Sequence, residues 1–484
     1  MAFVKALLVS AAALATLAFA EGAATTASTA ATAAATCGGG AGVEECVVEA
    51  EGGDEVSQLQ LAACRRRRSQ EESWTEVPDL ADIMKDLDND LPEWPAGVNK
   101  TRRACRMENG GNGCSIPDMF SGLPGSKDDF VSVYPGGETK CIGGGDYSFT
   151  IRMGDPDKLH IHFQGGGACW DWASYNLVMD GHSGLCSKNV TEEPPMGAFN
   201  VSSPANPWKD YSFIIINYCS GDMHSGSTEQ PWGSWLSKVK IRGYENANSA
   251  LQWGLDAFPS LSKLTISGSS AGSLGVQVWS RKVLEMYAPR SEDVFVIGDS
   301  FIGVLYPPDE IYPSESYLYG AWNLCNTGLL TREQWKECNK GNLLLQDVWL
   351  EAMEKYPNVR FATSNSKADA TQIQFEKAFE ATARLSIAGA MMTTGEFYKT
   401  ASLDLKELFE KQSNFHTYLV QSDAHTYLPN FLHVHGYARW HCRRRRAAPH
   451  AARVARGACR PLLCLRRRRR RDADSVRGRA QGSD

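Results

Sequence analysis

Between about residues 141 and 437 the chain alternates two patterns. Short runs dense in β-branched and aromatic residues occur at 158–164 (KLHIHFQ), 211–218 (YSFIIINY), 263–267 (KLTIS), 293–299 (DVFVIGD), 358–364 (NVRFATS) and 415–421 (FHTYLVQ). Between them lie stretches whose apolar positions recur every three or four residues, at 244–258, 276–287, 331–356 and 403–412. Strands that alternate with helices predict an α/β fold with a mostly parallel sheet covered on both faces, because parallel neighbours need a crossover long enough to hold a helix. Ligand sites in such sheets lie at the carboxyl ends of the strands.

The flanks of this region follow other rules. Residues 1–20 have Lys5, an apolar run and Ala18-Phe19-Ala20, the pattern of a secretory signal peptide. Residues 21–70 are rich in Ala, Thr, Gly and Glu, too poor in apolar bulk to fold, and read as a disordered leader; Arg65 to Arg68 would suit removal as a propeptide or stand as a solvated charge run. Residues 71–140, with Trp74, Trp94, several prolines and Cys105 and Cys114, read as a loop-rich lead-in packed on the catalytic domain of 141–437. Residues 438–484 are Arg-rich and read as a disordered arm or a mis-translated end, without the aromatic interleaving of a nucleic-acid module.

At 484 residues and 43% hydrophobic content the chain has ample material for one large core. Sixteen arginines and three aspartates from Arg439 onward carry +13 of a net charge of −6, so the rest carries −19: an acidic body with a basic tail. Fourteen cysteines suit an oxidising compartment. Cys169 with Cys186, and Cys325 with Cys338, are near enough to close small loops, although one sequence leaves the pairing open. No C-x-x-C pair occurs, so no metal or other cofactor is expected. No later run is apolar over the roughly 18 residues of a membrane span, and a secreted, soluble monomer is expected. Asn99, Asn189 and Asn200 head glycosylation sequons.

The candidate chemistry begins at Gly268-Ser269-Ser270-Ala271-Gly272. It matches G-x-S-x-G on a strand-to-helix turn, where the glycines leave room for the central serine to project, so Ser270 is the candidate nucleophile. Such a serine needs a base and an acid, which α/β-hydrolases supply in the order serine, acid, histidine. Asp369 and His425 each follow a predicted strand in that order. Asp299, after the run ending at 299, competes as the acid or borders the substrate pocket; His416 lies inside a strand run, Asp423 is too close in sequence to orient His425, and His433 and His435 adjoin the tail. Three glycines after a strand, Gly165 to Gly167, look like an oxyanion loop, with Gly167, Ala168 and Ala271 as donors. Neither phosphate-loop spacing is met.

Together HIHFQGGGACW (160–170), INYCSGDMHSG (216–226), ISGSSAGSLG (266–275), SKADATQ (366–372) and DAHTYL (423–428) resemble, in order, the motifs of the pectin acetylesterases and related Notum-type carboxylesterases over roughly residues 135–435. The resemblance implies an α/β-hydrolase-like fold and a serine triad of Ser270, Asp369 and His425. It implies a secreted or cell-wall esterase removing O-acyl, chiefly O-acetyl, groups from polysaccharide. Trp170, Asp222, His224 and Asp299 are the candidate substrate contacts, with Asp222 and His224 reading as structural or pocket-lining. One departure stands out: the family's glycine loop often has tryptophan directly after its last glycine, whereas here Ala168 follows and Trp170 comes later. The alternatives are a deacylase of longer chains on a lipidated protein and a non-catalytic carbohydrate-binding protein on the same fold. The acidic body counts against an anionic polymer such as pectin.

Overall fold

In a computed structural model that describes residues 103–107, 114–120, 130–176, 178–179, 182–233, 237–301, 314–383 and 405–430, nine strands form one sheet. These residues fall in one compact unit, Val77–Asp484. The strands are β1 (Arg103–Arg106), β2 (Val131–Tyr134), β3 (Phe149–Arg152), β4 (Asp155–Phe163), β5 (Tyr211–Ile216), β6 (Leu261–Ser269), β7 (Ser291–Asp299), β8 (Arg360–Ser366) and β9 (Phe415–Val420). Their order across the sheet is β1-β2-β3-β5-β4-β6-β7-β8-β9. Only β3 runs antiparallel to its neighbours; every other pairing is parallel. This is an α/β-hydrolase arrangement, with all six strands expected from the sequence present. The signal peptide, the leader, the Arg-rich tail, His433 and His435 lie outside the described residues.

The sheet also takes in β1 and β2 from the segment read as a loop-rich lead-in, and β3, for which the sequence gives no strand expectation. Each has four residues and little length over which a period can show. Six helices matter here: α1 (Gly243–Ala257), α2 (Ala271–Tyr287), α3 (Ser314–Trp322), α4 (Arg332–Lys340), α5 (Leu345–Lys355) and α6 (Ala370–Ala383). The single helical stretch expected over 331–356 is two helices. Gly341 takes φ +80° and its N–H closes on Cys338 and Glu337 carbonyls, which ends α4 in the left-handed cap that glycine favours.

The sheet's two faces differ in chemistry. Leu159, Ile161, Phe163, Ile266 and Val296 pack with α1, α2 and α5 in the main core. The opposite side of β4 carries His160 and His162, both fully buried against Phe199, Trp208 and Phe213. A period-two strand delivers its polar set to one face, and here that face is sealed by the segment around 197–208.

Four disulfides join Cys105–Cys114, Cys141–Cys219, Cys169–Cys186 and Cys325–Cys338. The last two are the short loops noted in the sequence. Cys141–Cys219 spans 78 positions; closing a loop of that size limits the unfolded chain by about 4 kcal/mol in the chain-entropy view. Among the described residues no helix is long and apolar enough to cross a membrane.

Candidate active site

Ser270 sits between the last residue of β6 and the first of α2 with φ +57° and ψ −126°. A side chain with positive φ carries strain of order 1–3 kcal/mol, so the surroundings must hold it. They do: Ser270 N–H donates to Asp299 O at 2.8 Å, and Ser270 O accepts from Ser273 N–H at 2.8 Å. The flanking glycines are needed for close approach. A Cβ on Gly268 would stand 2.0 Å from Gly272 O, and one on Gly272 would stand 2.0 Å from Phe163 O. The elbow therefore seats the start of α2 against β6 and β4, leaving Ser270 partly exposed with the helix N-terminus behind it.

Asp369 follows β8 and is wholly buried. Its Oδ1 accepts from Gln372 N–H at 2.9 Å, as a helix N-cap does, and its Oδ2 accepts from Gln372 Nε2 at 2.7 Å. His425 Nδ1–H donates to both oxygens, at 3.1 and 2.9 Å. With Nδ1 carrying the proton, the neutral ring keeps its lone pair on Nε2. The two loops are laced together by main-chain bonds: Lys367 N–H to Val420 O, Ala368 N–H to Ser422 O and Ala370 N–H to Asp423 O. His416 and Asp423 are exposed. The ring of His425 turns to Asp369, not to Asp299.

The glycine loop lies directly against the elbow. A Cβ on Gly165 would meet Ser269 O at 2.7 Å and Ser270 Cβ at 2.8 Å. Gly166 and Gly167 have φ of +143° and +72°, and Cys169–Cys186 anchors the loop's far end. One expectation needs correction. Ala168 N–H donates to Leu185 O at 3.0 Å, in a two-bond bridge completed by Ser187 N–H on Gly166 O, so it is already engaged and cannot serve an oxyanion. Gly167 and Ala271 both line the pocket, and Ala271, first in α2, has no intrahelical acceptor for its N–H.

That pocket encloses about 450 Å³ including its open mouth. Beside Ser270 its wall is made by Trp170, Met223, Leu274, Phe301, Leu318, Phe375 and Phe379, with Glu376 the one carboxylate. Trp170 is edge-on to Phe379 at 5.3 Å, so the tryptophan displaced in sequence still forms the wall. Asp222, His224 and Asp299 do not face the pocket. Asp222 is buried beneath it, accepting from Ser220 Oγ and the N–H groups of Gly226 and Gly243, and burial pushes its pKa up to about 6. His224 Nε2–H donates to Gln164 O at 2.8 Å, and burial pulls its pKa down to about 4. The residue between them reaches the cavity instead: Met223 has φ +54° and His224 +60°, a tight turn that the sequence does not announce. Behind, His160 Nε2 and His162 Nδ1 lie 2.6 and 2.8 Å from Ser267 Oγ. Burial holds both well below the ordinary histidine value, His160 at about 3. Among the described residues no cluster of three His, Cys, Asp or Glu side chains is placed to hold a metal ion.

No curated protein matches the chain. The chain is similar to two solved structures of the Wnt deacylase Notum from Drosophila: crystal form II at 17% identity and TM-score 0.40 over 59% of this chain and 82% of that one, and crystal form I at 17% and 0.39 over 60% and 84%. The family model described as Pectinacetylesterase matches residues 135–311, which include the glycine loop and the elbow; Asp369 and His425 lie beyond it. Over that segment the chain is similar to the pectin acetylesterase family.

Proposed function

We propose that this protein is a secreted serine carboxylesterase that removes O-acyl groups, chiefly O-acetyl, from cell-wall or extracellular polysaccharide through an acyl-enzyme. The observation that carries the reading is the His425–Asp369 pair, held at the same carboxyl-end rim as a serine with φ +57° at a helix start. Ser270 Oγ attacks the ester carbonyl carbon while His425 Nε2 takes its proton. The oxyanion is received by Gly167 and Ala271 N–H, with Gly166 N–H in place of the engaged Ala168. As the tetrahedral intermediate collapses, the ester C–O bond breaks and the imidazolium returns the proton to the departing sugar oxygen. Water, deprotonated by the same ring, then releases the acid and frees Ser270. Asp369 holds the imidazole tautomer throughout. The four disulfides and the sequence of residues 1–20 support export, and exposed Asn189 supports glycosylation.

A second reading, hydrolysis of a longer acyl chain, is favoured by one observation: the pocket wall is almost wholly apolar and aromatic. Acetate release from a panel of acetylated polysaccharides by wild type and Ser270→Ala tests the first reading. Loss of release in the variant is expected, and undiminished release refutes the nucleophile. Turnover of p-nitrophenyl esters of graded length separates the two: activity confined to chains of about eight carbons or more rejects the acetylesterase and selects the second.

A further inference from the structure

Asp299 ends β7, between β6 and β8, and is fully buried. A carboxylate withdrawn from water needs donors, and the five that it gathers are neutral. Its Oδ2 accepts from Tyr427 N–H at 2.8 Å, Leu428 N–H at 2.6 Å and Ser269 Oγ at 3.2 Å. Its Oδ1 accepts from Ser364 Oγ at 2.7 Å and Ser300 Oγ at 3.1 Å. Its main-chain oxygen accepts from Ser270 N–H at 2.8 Å.

The partners come from three different parts of the site. Ser269 and Ser270 are the nucleophile's strand end; Ser364 is on β8, which leads to Asp369; Tyr427 and Leu428 follow His425 by two and three residues. The other fastenings of the His425 loop run elsewhere. Ser366 Oγ holds Ala424 O and lies 2.6 Å from Tyr427 Oη, and Ala198 N–H holds Leu428 O. The Asp299 carboxylate joins this loop to Ser269, the residue beside the nucleophile.

We propose that Asp299 is a positioning residue for His425, fixing the loop that carries the imidazole relative to the nucleophile elbow. The role rests on the triad reading above. It differs from both roles that the sequence suggests for this residue: the imidazole proton goes to Asp369, and a fully buried side chain offers no surface to substrate. The pull is geometric. Two adjacent main-chain N–H groups converging on one oxygen set the direction in which the chain leaves His425, and thereby where its Nε2 lies.

The test compares Asp299→Ala and Asp299→Asn with wild type on p-nitrophenyl acetate, reading kcat and KM per folded molecule. Asparagine keeps an oxygen for the two N–H groups, and its amide can donate to the Ser364 or Ser300 hydroxyl, which accept as readily as they donate. Alanine is expected to lower kcat by about 10²-fold with KM within about threefold, the result of misplacement without lost binding. Asparagine is expected to restore most of this, leaving kcat about five- to tenfold below wild type at unchanged KM. If alanine is not recovered folded, asparagine alone decides: a kcat within about twofold of wild type, or a change confined to KM, overturns the role. Ser270→Ala is run alongside. Its loss of turnover, beside wild-type kcat in Asp299→Asn, removes the positioning role and keeps the nucleophile. Full turnover in Ser270→Ala removes the triad reading and the role together.

Discussion

Gly165→Ala adds one carbon at the point where the glycine loop touches the elbow, and the structure fixes how much room is missing. The new Cβ would lie 2.7 Å from Ser269 O and 2.8 Å from Ser270 Cβ, against an ordinary contact of at least 3.4 Å, a shortfall of about 0.6–0.7 Å. No rotamer change relieves it, because a Cβ has none and its neighbours are a strand-end carbonyl and the root of the serine side chain. Gln164, next to the substituted residue, is pinned by its N–H to Ile216 O and its Nε2 to Thr191 O. Either the loop moves away from the elbow or the elbow moves away from the loop. Both displace Ser270 relative to the main chain of Gly166 and Gly167 by roughly half an ångström, near the limit that a preorganised site tolerates. A kcat loss of about 10²-fold on p-nitrophenyl acetate is expected, with destabilisation of about 1–3 kcal/mol from the overpacking, read by denaturant titration. Gly320→Ala is the control: Gly320 is an exposed position of α3 and nothing lies within 4 Å of a Cβ there, so activity should hold. If Gly165→Ala keeps kcat within about threefold of wild type, the close apposition of loop and nucleophile is not catalytic geometry and the reasoning fails.

Two further predictions concern charge. Asp369→Asn leaves a near-isosteric side chain but no longer dictates the imidazole tautomer; kcat should fall by on the order of 10⁴ with little change in KM, and near-wild-type kcat would remove Asp369 from the triad. Acid stability should be set by the buried histidines. His160 and His224, held at about 3 and about 4, stay neutral in the folded protein while the unfolded chain protonates near 6.5, and His162 behaves alike. Their contribution is complete above about pH 6.5 and lost as pH falls towards 4 and 3. Asp222, raised from 3.8 to about 6, acts oppositely, releasing a proton on unfolding between those limits, and burial raises Asp299 in the same direction. At pH 5 unfolding should take up about one to two protons, each worth about 1.4 kcal/mol per pH unit, and calorimetry in two buffers of different ionisation enthalpy measures the number. Net proton release on unfolding at pH 5 would contradict the buried, neutral histidines.

Legibility in the sequence tracked length and periodicity. The six strands of the sheet's centre and carboxyl-terminal half were read because each carries at least five consecutive strand-like residues, whereas β1 and β2, at four residues within a proline-rich segment, offered no period to read. Gly341 is visible as a letter in the stretch 331–356, but a glycine inside a helical pattern signals a break only when its φ is known. Asp369 and His425 were reachable because strand ends and chain order constrain them, and the structure brings them into contact. The sequence does not say which amide of a glycine loop is already taken by a neighbouring segment; here Leu185 O takes that of Ala168. Met223, between two polar residues that drew attention, carried no signal of its own, since only a turn with two positive φ angles turns it into the cavity.

The same contrast explains why polar residues outnumber apolar ones on one face of a sheet built for burial. On β4 the outer face could hold leucine or valine at positions 160 and 162 and contribute more hydrophobic stabilisation than two neutral imidazoles sharing one hydroxyl. Further along that layer, Ser269, Asp299 and Ser364 continue with hydroxyls and a carboxylate whose bonds end on the backbone beyond His425. Apolar side chains would fill this space without direction. A hydrogen bond fixes distance and angle, and three strand ends that hold Ser270, Asp369 and His425 at one rim need that more than they need burial energy. The expected cost is acid sensitivity, because groups kept neutral by burial are those that protonate when the fold opens.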